Sequence, residues 1–157
     1  MKKEDVFQIL GHITIFFSTL DIMTTKLILE LVTEEYKSKN RPLNERATLK
    51  ARFRLLQSLK DHDVKSVEAI TVIREFLSEA LEVAEERNRF MHDQWEFKEE
   101  NLIEGFINRC KSVGLVEWKL KNEKVKYTIP ELTALLNRIV KLQIMVGDIL
   151  TKYGFSK

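Results

Sequence analysis

Residues 66–92 read SVEAITVIREFLSEALEVAEERNRFMH, a stretch without glycine or proline. Ile70, Ile73, Leu77, Ala80, Leu81 and Ala84 recur at helical steps and draw one apolar stripe. The stripe keeps its register as it turns polar at Asn88 and then Met91 or His92. A helix from about Ser66 to Phe90, or a little beyond, is the reading. Its stripe needs partners, and the flanking sequence supplies them.

Upstream, nothing but Gly11 interrupts a helical pattern from Glu4 to about Lys37. Apolar residues crowd nearly all its faces, among them Phe7, Leu10, Ile13, Phe17, Leu20, Leu27 and Leu31. Such a helix is central, or is covered by a second subunit. His12 on it reads as a satisfied core histidine. The polar cluster 38–42 makes the first link, and a second helix follows from about Asn44 to Lys60 with Ala47, Leu49, Phe53, Leu56 and Leu59 as its buried side. Asp61-His62-Asp63 reads as a short turn between antiparallel neighbours. Three adjacent turn residues rarely converge on one ion, so no metal site is expected there.

Downstream, residues 101–110 have helical apolar spacing, with a strand as the alternative. Val116, Trp118, Leu120 and then Val125, Tyr127, Ile129 alternate about Asn122-Glu123, a β-hairpin pattern over about 115–129. The last helix is marked by Thr128 or Ile129 as cap, Pro130 in its first turn and Glu131 beside it, with Gly154 able to end it. The expected fold is therefore mainly α: one domain, 1–157, an up-and-down bundle of four to five helices with a small antiparallel hairpin inserted before the last. Only 5 Gly and 2 Pro in 157 residues argue against a loop-rich all-β fold.

The net charge of +2 conceals a division. Residues 37–54 hold seven basic residues against one acid, and residues 75–104 hold ten acids against three bases. An anionic partner on one side, or charge-matched self-association, fits that asymmetry. The single cysteine, Cys110, excludes an internal disulfide or a multi-cysteine zinc cage and reads as a buried thiol. The longest uncharged run, 6–20, is 15 residues, short of a membrane span. With no convincing targeting segment, a reducing cytoplasm is the expected location and no membrane is expected as partner.

Chemistry concentrates in 85–95, EERNRFMHDQW. Asn88 and His92 are four apart and share a helix face, and the long Arg87 side chain reaches back towards them. A guanidinium, an amide and an imidazole gather where the apolar stripe runs out. Arginine is always charged and forks onto phosphate oxygens. Histidine takes a proton from a hydroxyl or gives one to a leaving oxygen near neutral pH. Asparagine orients the imidazole or a phosphate. One such set is half of an acid–base site, and a two-fold dimer through this face supplies the other half.

The Arg87, Asn88 and His92 spacing resembles the HEPN superfamily, whose ribonuclease members carry arginine, a polar residue and then histidine. Asp21 near the middle of the long first helix, Trp95 after the motif and a closing helix after 127–132 are similar to the same family. The resemblance covers most of the chain as architecture and about ten residues as motif. It implies a metal-independent, cofactor-free endoribonuclease acting as a homodimer. It also implies defence or toxin–antitoxin settings, with a nucleotidyltransferase-type antitoxin as a candidate protein partner. Arg87, Asn88 and His92 become the catalytic candidates, with Asp21, Asp93 and Trp95 as accessories. Many relatives have glycine after the histidine, where this chain has Asp93.

Arg46, Lys50, Arg54 and Arg89 are the candidate RNA-binding residues; the 37–54 stretch tracks RNA only if it lies beside the motif. Without the resemblance, Arg87, Asn88 and His92 read as a solvated helix end paired to Glu82 or Glu86, and Asp21 as a buried acid satisfied nearby. A non-catalytic helical module binding a protein, a nucleotide or RNA is the second functional reading.

Overall fold

The computed structural model describes residues 2–40, 47–92, 94–116 and 119–154, and for 110–123 the backbone alone. The chain is mainly helical with a small antiparallel sheet. Its elements are α1 (Lys3–Leu31), α2 (Glu34–Lys39), α3 (Leu49–Ser58), a 3-10 turn (Asp61–Asp63), α4 (Val67–His92), β1 (Gln94–Glu96), α5 (Glu99–Ile103), β2 (Phe106–Val116), β3 (Lys119–Thr128) and α6 (Ile129–Lys152).

Three long helices make the core. Val6, Ile13, Leu20 and Leu27 bury one seam of α1. Ile70, Ile73, Leu77 and Ala80 of α4 and Leu135, Ile139, Leu142 and Val146 of α6 close around it. α4 runs antiparallel to α6: Glu68 near its start meets Lys152 at 3.2 Å, and Glu86 near its end meets Arg138 at 2.9 Å. α1 is likewise antiparallel to α4, since Thr14 donates to Met91 Sδ at 3.4 Å while Asp21 shares a pocket with Ala84.

α1 stops at Leu31, six residues before the sequence pattern fades. Val32 pairs with Val64 as an antiparallel bridge, Thr33 N–H donates to the Asp63 carbonyl at 2.9 Å, and Lys65 N–H to the Leu31 carbonyl at 2.8 Å. The Thr33 hydroxyl then accepts from Tyr36 N–H and starts α2. The break is made by a contact with a segment thirty residues away, which no local pattern encodes. α1 as a whole, 29 residues with a mean hydropathy of 1.5 in its most apolar stretch, is long and apolar enough to cross a membrane. A core helix passes the same test, and α1 packs against α4 and α6 along its buried seam.

The sheet departs from the expected 115–129 hairpin. β2 and β3 span 106–128, and β1 adds a third strand in the order β1-β2-β3, all antiparallel. The helical spacing across 101–110 splits in two: Asn101 to Ile103 close the short α5, and Phe106 begins β2. Gly105, at φ +84°, makes the turn between them in a conformation that favours glycine. Asn122 and Glu123 sit inside β3 opposite Ser112 and Lys111 rather than at the turn, because the pairing that starts at Phe106↔Thr128 runs on to Val116↔Lys119. Trp118 lies outside the described residues.

Thr128 ends β3 and caps α6. Its hydroxyl accepts from Glu131 N–H, and the Glu131 carboxylate accepts from Thr128 N–H at 2.7 Å, a reciprocal box with Pro130 between them. At the far end Tyr153 is the C-cap and Gly154 follows at φ +68°.

Candidate functional site

The last turns of α4 lie beside the middle of α1, and between them opens a pocket of about 390 Å³. Phe17, Ser18, Asp21 and Ile22 of α1, Leu49 of α3 and Ala84, Arg87 and Asn88 of α4 line it. Arg87 crosses the pocket wall with its guanidinium 5.2 Å from the centre of the Phe17 ring, a cation–π contact. Its Nη1 donates to Asn88 Oδ1 at 3.0 Å, and its Nε is buried without a hydrogen-bond partner. Among the described residues Arg87 has no ion pair. The nearby acids go elsewhere: Glu82 and Glu86 bind Arg138 of α6 at 3.6 and 2.9 Å. Neither of these acids pairs with Arg87.

Asp21 faces the same pocket and is held from behind by Arg52. The Arg52 side chain is 1% exposed, and its Nη1 donates to Asp21 Oδ1 at 2.5 Å and to the Asp21 carbonyl at 2.9 Å. Arg52 is one of the seven bases of 37–54, and the sequence alone does not single it out as the partner of Asp21. A signal was present: Leu49, Arg52 and Leu56 follow the 3-4 step of a buried helix face, and all three are buried. Fixing Asp21 this way leaves its carboxylate 41% exposed at the pocket mouth.

The remaining candidates fall in three places. His92 is exposed as the final residue of α4 and does not line the Arg87 pocket. Lys50 and Arg54 are exposed on α3, whose Leu49 lines the pocket, but neither basic side chain lines it. Arg89 is exposed on another face, in a cleft with Glu82, Glu85, Glu86, Tyr127 and Arg138. Arg46 and Asp93 lie outside the described residues.

Trp95 is a clamp between helix and sheet. Its Nε1 donates to the Phe90 carbonyl at 3.0 Å, and its ring stacks on Phe90 at 5.7 Å, nearly parallel. Arg109 joins this cluster from β2, buried, with its guanidinium 4.5 Å from the Tyr127 ring centre and 4.9 Å from that of Phe90. His12, expected in the core, is exposed and edge-on to Phe16 at 6.3 Å, because it lies about 100° round α1 from Ile13 and the buried seam.

The pocket can bind an anion against Arg87 and Asn88 and accept donors at Asp21, with Phe17, Ile22 and Leu49 as apolar walls. Among the described residues no three His, Cys, Asp or Glu side chains converge on a point that would hold a metal ion. No protein-family model, curated protein or solved structure matches the chain.

Proposed function

We propose that the protein is a HEPN-like, metal-independent endoribonuclease whose site is completed by a second copy of the chain. The observation that carries this reading is Arg87: a half-buried guanidinium without a carboxylate partner among the described residues, tied to Asn88 and opening onto a pocket at the end of the helix that His92 terminates. A guanidinium with no ion pair among the described residues, in the most acidic stretch of the chain, is suited to a phosphate.

In this mechanism the Arg87 guanidinium and Asn88 amide hold the non-bridging oxygens of the scissile phosphate. One His92 imidazole takes the proton of the ribose 2′-hydroxyl. The 2′-oxygen attacks phosphorus as the bond to the 5′-oxygen breaks, and the His92 imidazolium of the partner subunit protonates that leaving oxygen. The products are a 2′,3′-cyclic phosphate and a 5′-hydroxyl. Lys50 and Arg54 steer the strand towards the pocket. The setting that goes with this chemistry is cytoplasmic toxin or antiphage defence, with an antitoxin of nucleotidyltransferase type restraining the enzyme.

Mixed-sequence RNA incubated in EDTA with wild type, His92→Ala and Arg87→Ala tests it. Cleavage by wild type should fall about 10²–10⁴-fold in His92→Ala, the usual worth of a general acid or base. Full activity in His92→Ala, or no cleavage by a folded dimer, overturns it. The second reading, a helical module that binds without cutting, draws on one observation: within a single chain His92 stands outside the Arg87 pocket.

A further inference from the structure

α1 carries a second seam. Gln8, Gly11, Ile15, Ser18 and Ile22 follow alternating steps of three and four, and all five are exposed. Ile15 and Ile22 are 65% and 71% exposed, with Phe7 (52%) and Phe16 (37%) beside them. No charge interrupts the helix from Val6 to Leu20. A helix apolar over so many faces is normally buried on all of them.

We propose that this outer seam packs against the same seam of a second copy, antiparallel, with Ile22 of each chain over Gly11 of the other. Three observations select that arrangement. The large residues, Ile15 and Ile22, occupy one set of heptad positions and the small ones, Gly11 and Ser18, the other. Antiparallel pairing sets large against small in every layer; parallel pairing stacks isoleucine on isoleucine and leaves gaps at glycine. An interior glycine also weakens a helix, and a Cβ at Gly11 would meet no atom of the described residues within 4 Å, so the described fold gives no reason for it while a close neighbouring helix does. Finally, exposed Glu4 and Asp5 at one end of the seam and exposed Lys26 at the other are brought together twice by antiparallel pairing, and kept like against like by parallel pairing.

The pairing also bears on the site. Met91 touches Thr14, so the end of α4 lies at the level of the seam's centre. A two-fold axis there brings the Arg87–His92 segments of both chains to one level, which is what a composite site requires. The proposal rests on that reading for its purpose but not for its test, which records mass and cross-links rather than cleavage.

Sedimentation should give a dimer of the 18.5 kDa chain, and Ile22→Glu, which sets a carboxylate against Gly11 of the other chain twice in each dimer, should raise its dissociation constant at least about 30-fold, with helical content unchanged. In a Cys110→Ser background, Gly11→Cys and Ile22→Cys chains should form a mixed disulfide when combined and none alone, since like positions lie about 16 Å apart along the axis. A monomeric wild type, a dimer untouched by Ile22→Glu, or each cysteine variant linking to itself would overturn the pairing. So would a monomer that floats with phosphatidylglycerol vesicles, which would make the seam a lipid-facing one.

Discussion

Removing Asp21 should cost more than removing Arg52, although the two form one ion pair. Asp21→Ala leaves a guanidinium that is 1% exposed with, among the described residues, only the carbonyl of residue 21 as acceptor. Orphaning a buried charge costs about 3–5 kcal/mol. Because the Asp21 side chain is 41% exposed, water already weakens the pair, and the low end, about 3 kcal/mol, applies. Arg52→Met removes the buried charge and keeps an apolar stem. The Asp21 carboxylate then hydrates through the open pocket, and the loss is about 1–1.5 kcal/mol, mainly the hydrogen bonds. For a chain of this length the two variants should melt roughly 6–12 °C and 2–6 °C below wild type. Urea unfolding followed by circular dichroism, with equal slopes for the three proteins, gives the free energies directly. If Arg52→Met is as destabilising as Asp21→Ala, or if both lie within 0.5 kcal/mol of wild type, then the asymmetry drawn from burial is wrong.

Three further outcomes follow from contacts described above. Trp95→Phe keeps the stack on Phe90 but loses the bond to its carbonyl, and should lower the urea-derived stability by about 1 kcal/mol. Thr128→Ala removes one half of the reciprocal box at the start of α6 and should cost about 1 kcal/mol by the same measurement. Glu68 is held below the ordinary glutamate range by hydrogen bonds from Lys152 and Tyr153 and by the Lys152 charge. A carboxylate with a depressed pKa stabilises the folded state above about pH 4.5 and loses that contribution as the pH falls through its folded value. The melting-temperature difference between wild type and Glu68→Gln should therefore be present at pH 7 and close as the pH drops below 4; a difference that grows on acidification would contradict the sign.

The parts of the fold that local rules govern were legible in the sequence. α4 and α6 follow from period and caps: the stripe from Ile70 to Ala84, and the box of Thr128 and Glu131 around Pro130. The parts that long-range pairing governs were not. α1 ends where Val32 meets Val64, and residues 106–110 become strand because they find β3 and β1, against a spacing that also suits a helix. Gly105 was the available signal for that break. In the site, the nearness of Arg87 to Asn88 was readable from helix geometry. The Asp21–Arg52 pair, which joins α1 to α3, was not, since the run of bases around Arg52 disguised its place on a buried face. The exposure of His12 shows the same limit: an apolar helix does not announce which of its faces its own chain will cover.

β3 passes into α6 without a spacer, Thr128 serving as last strand residue and first cap, while a single residue separates His92 from the start of β1. The sheet is thus fixed to α6 by a stiff joint rather than by a tether. A pull on the end of β3 has no slack to take up there and would reach the foot of α6 directly. Trimming the hairpin as though it were an appendage would remove the strand that seats the cap of α6.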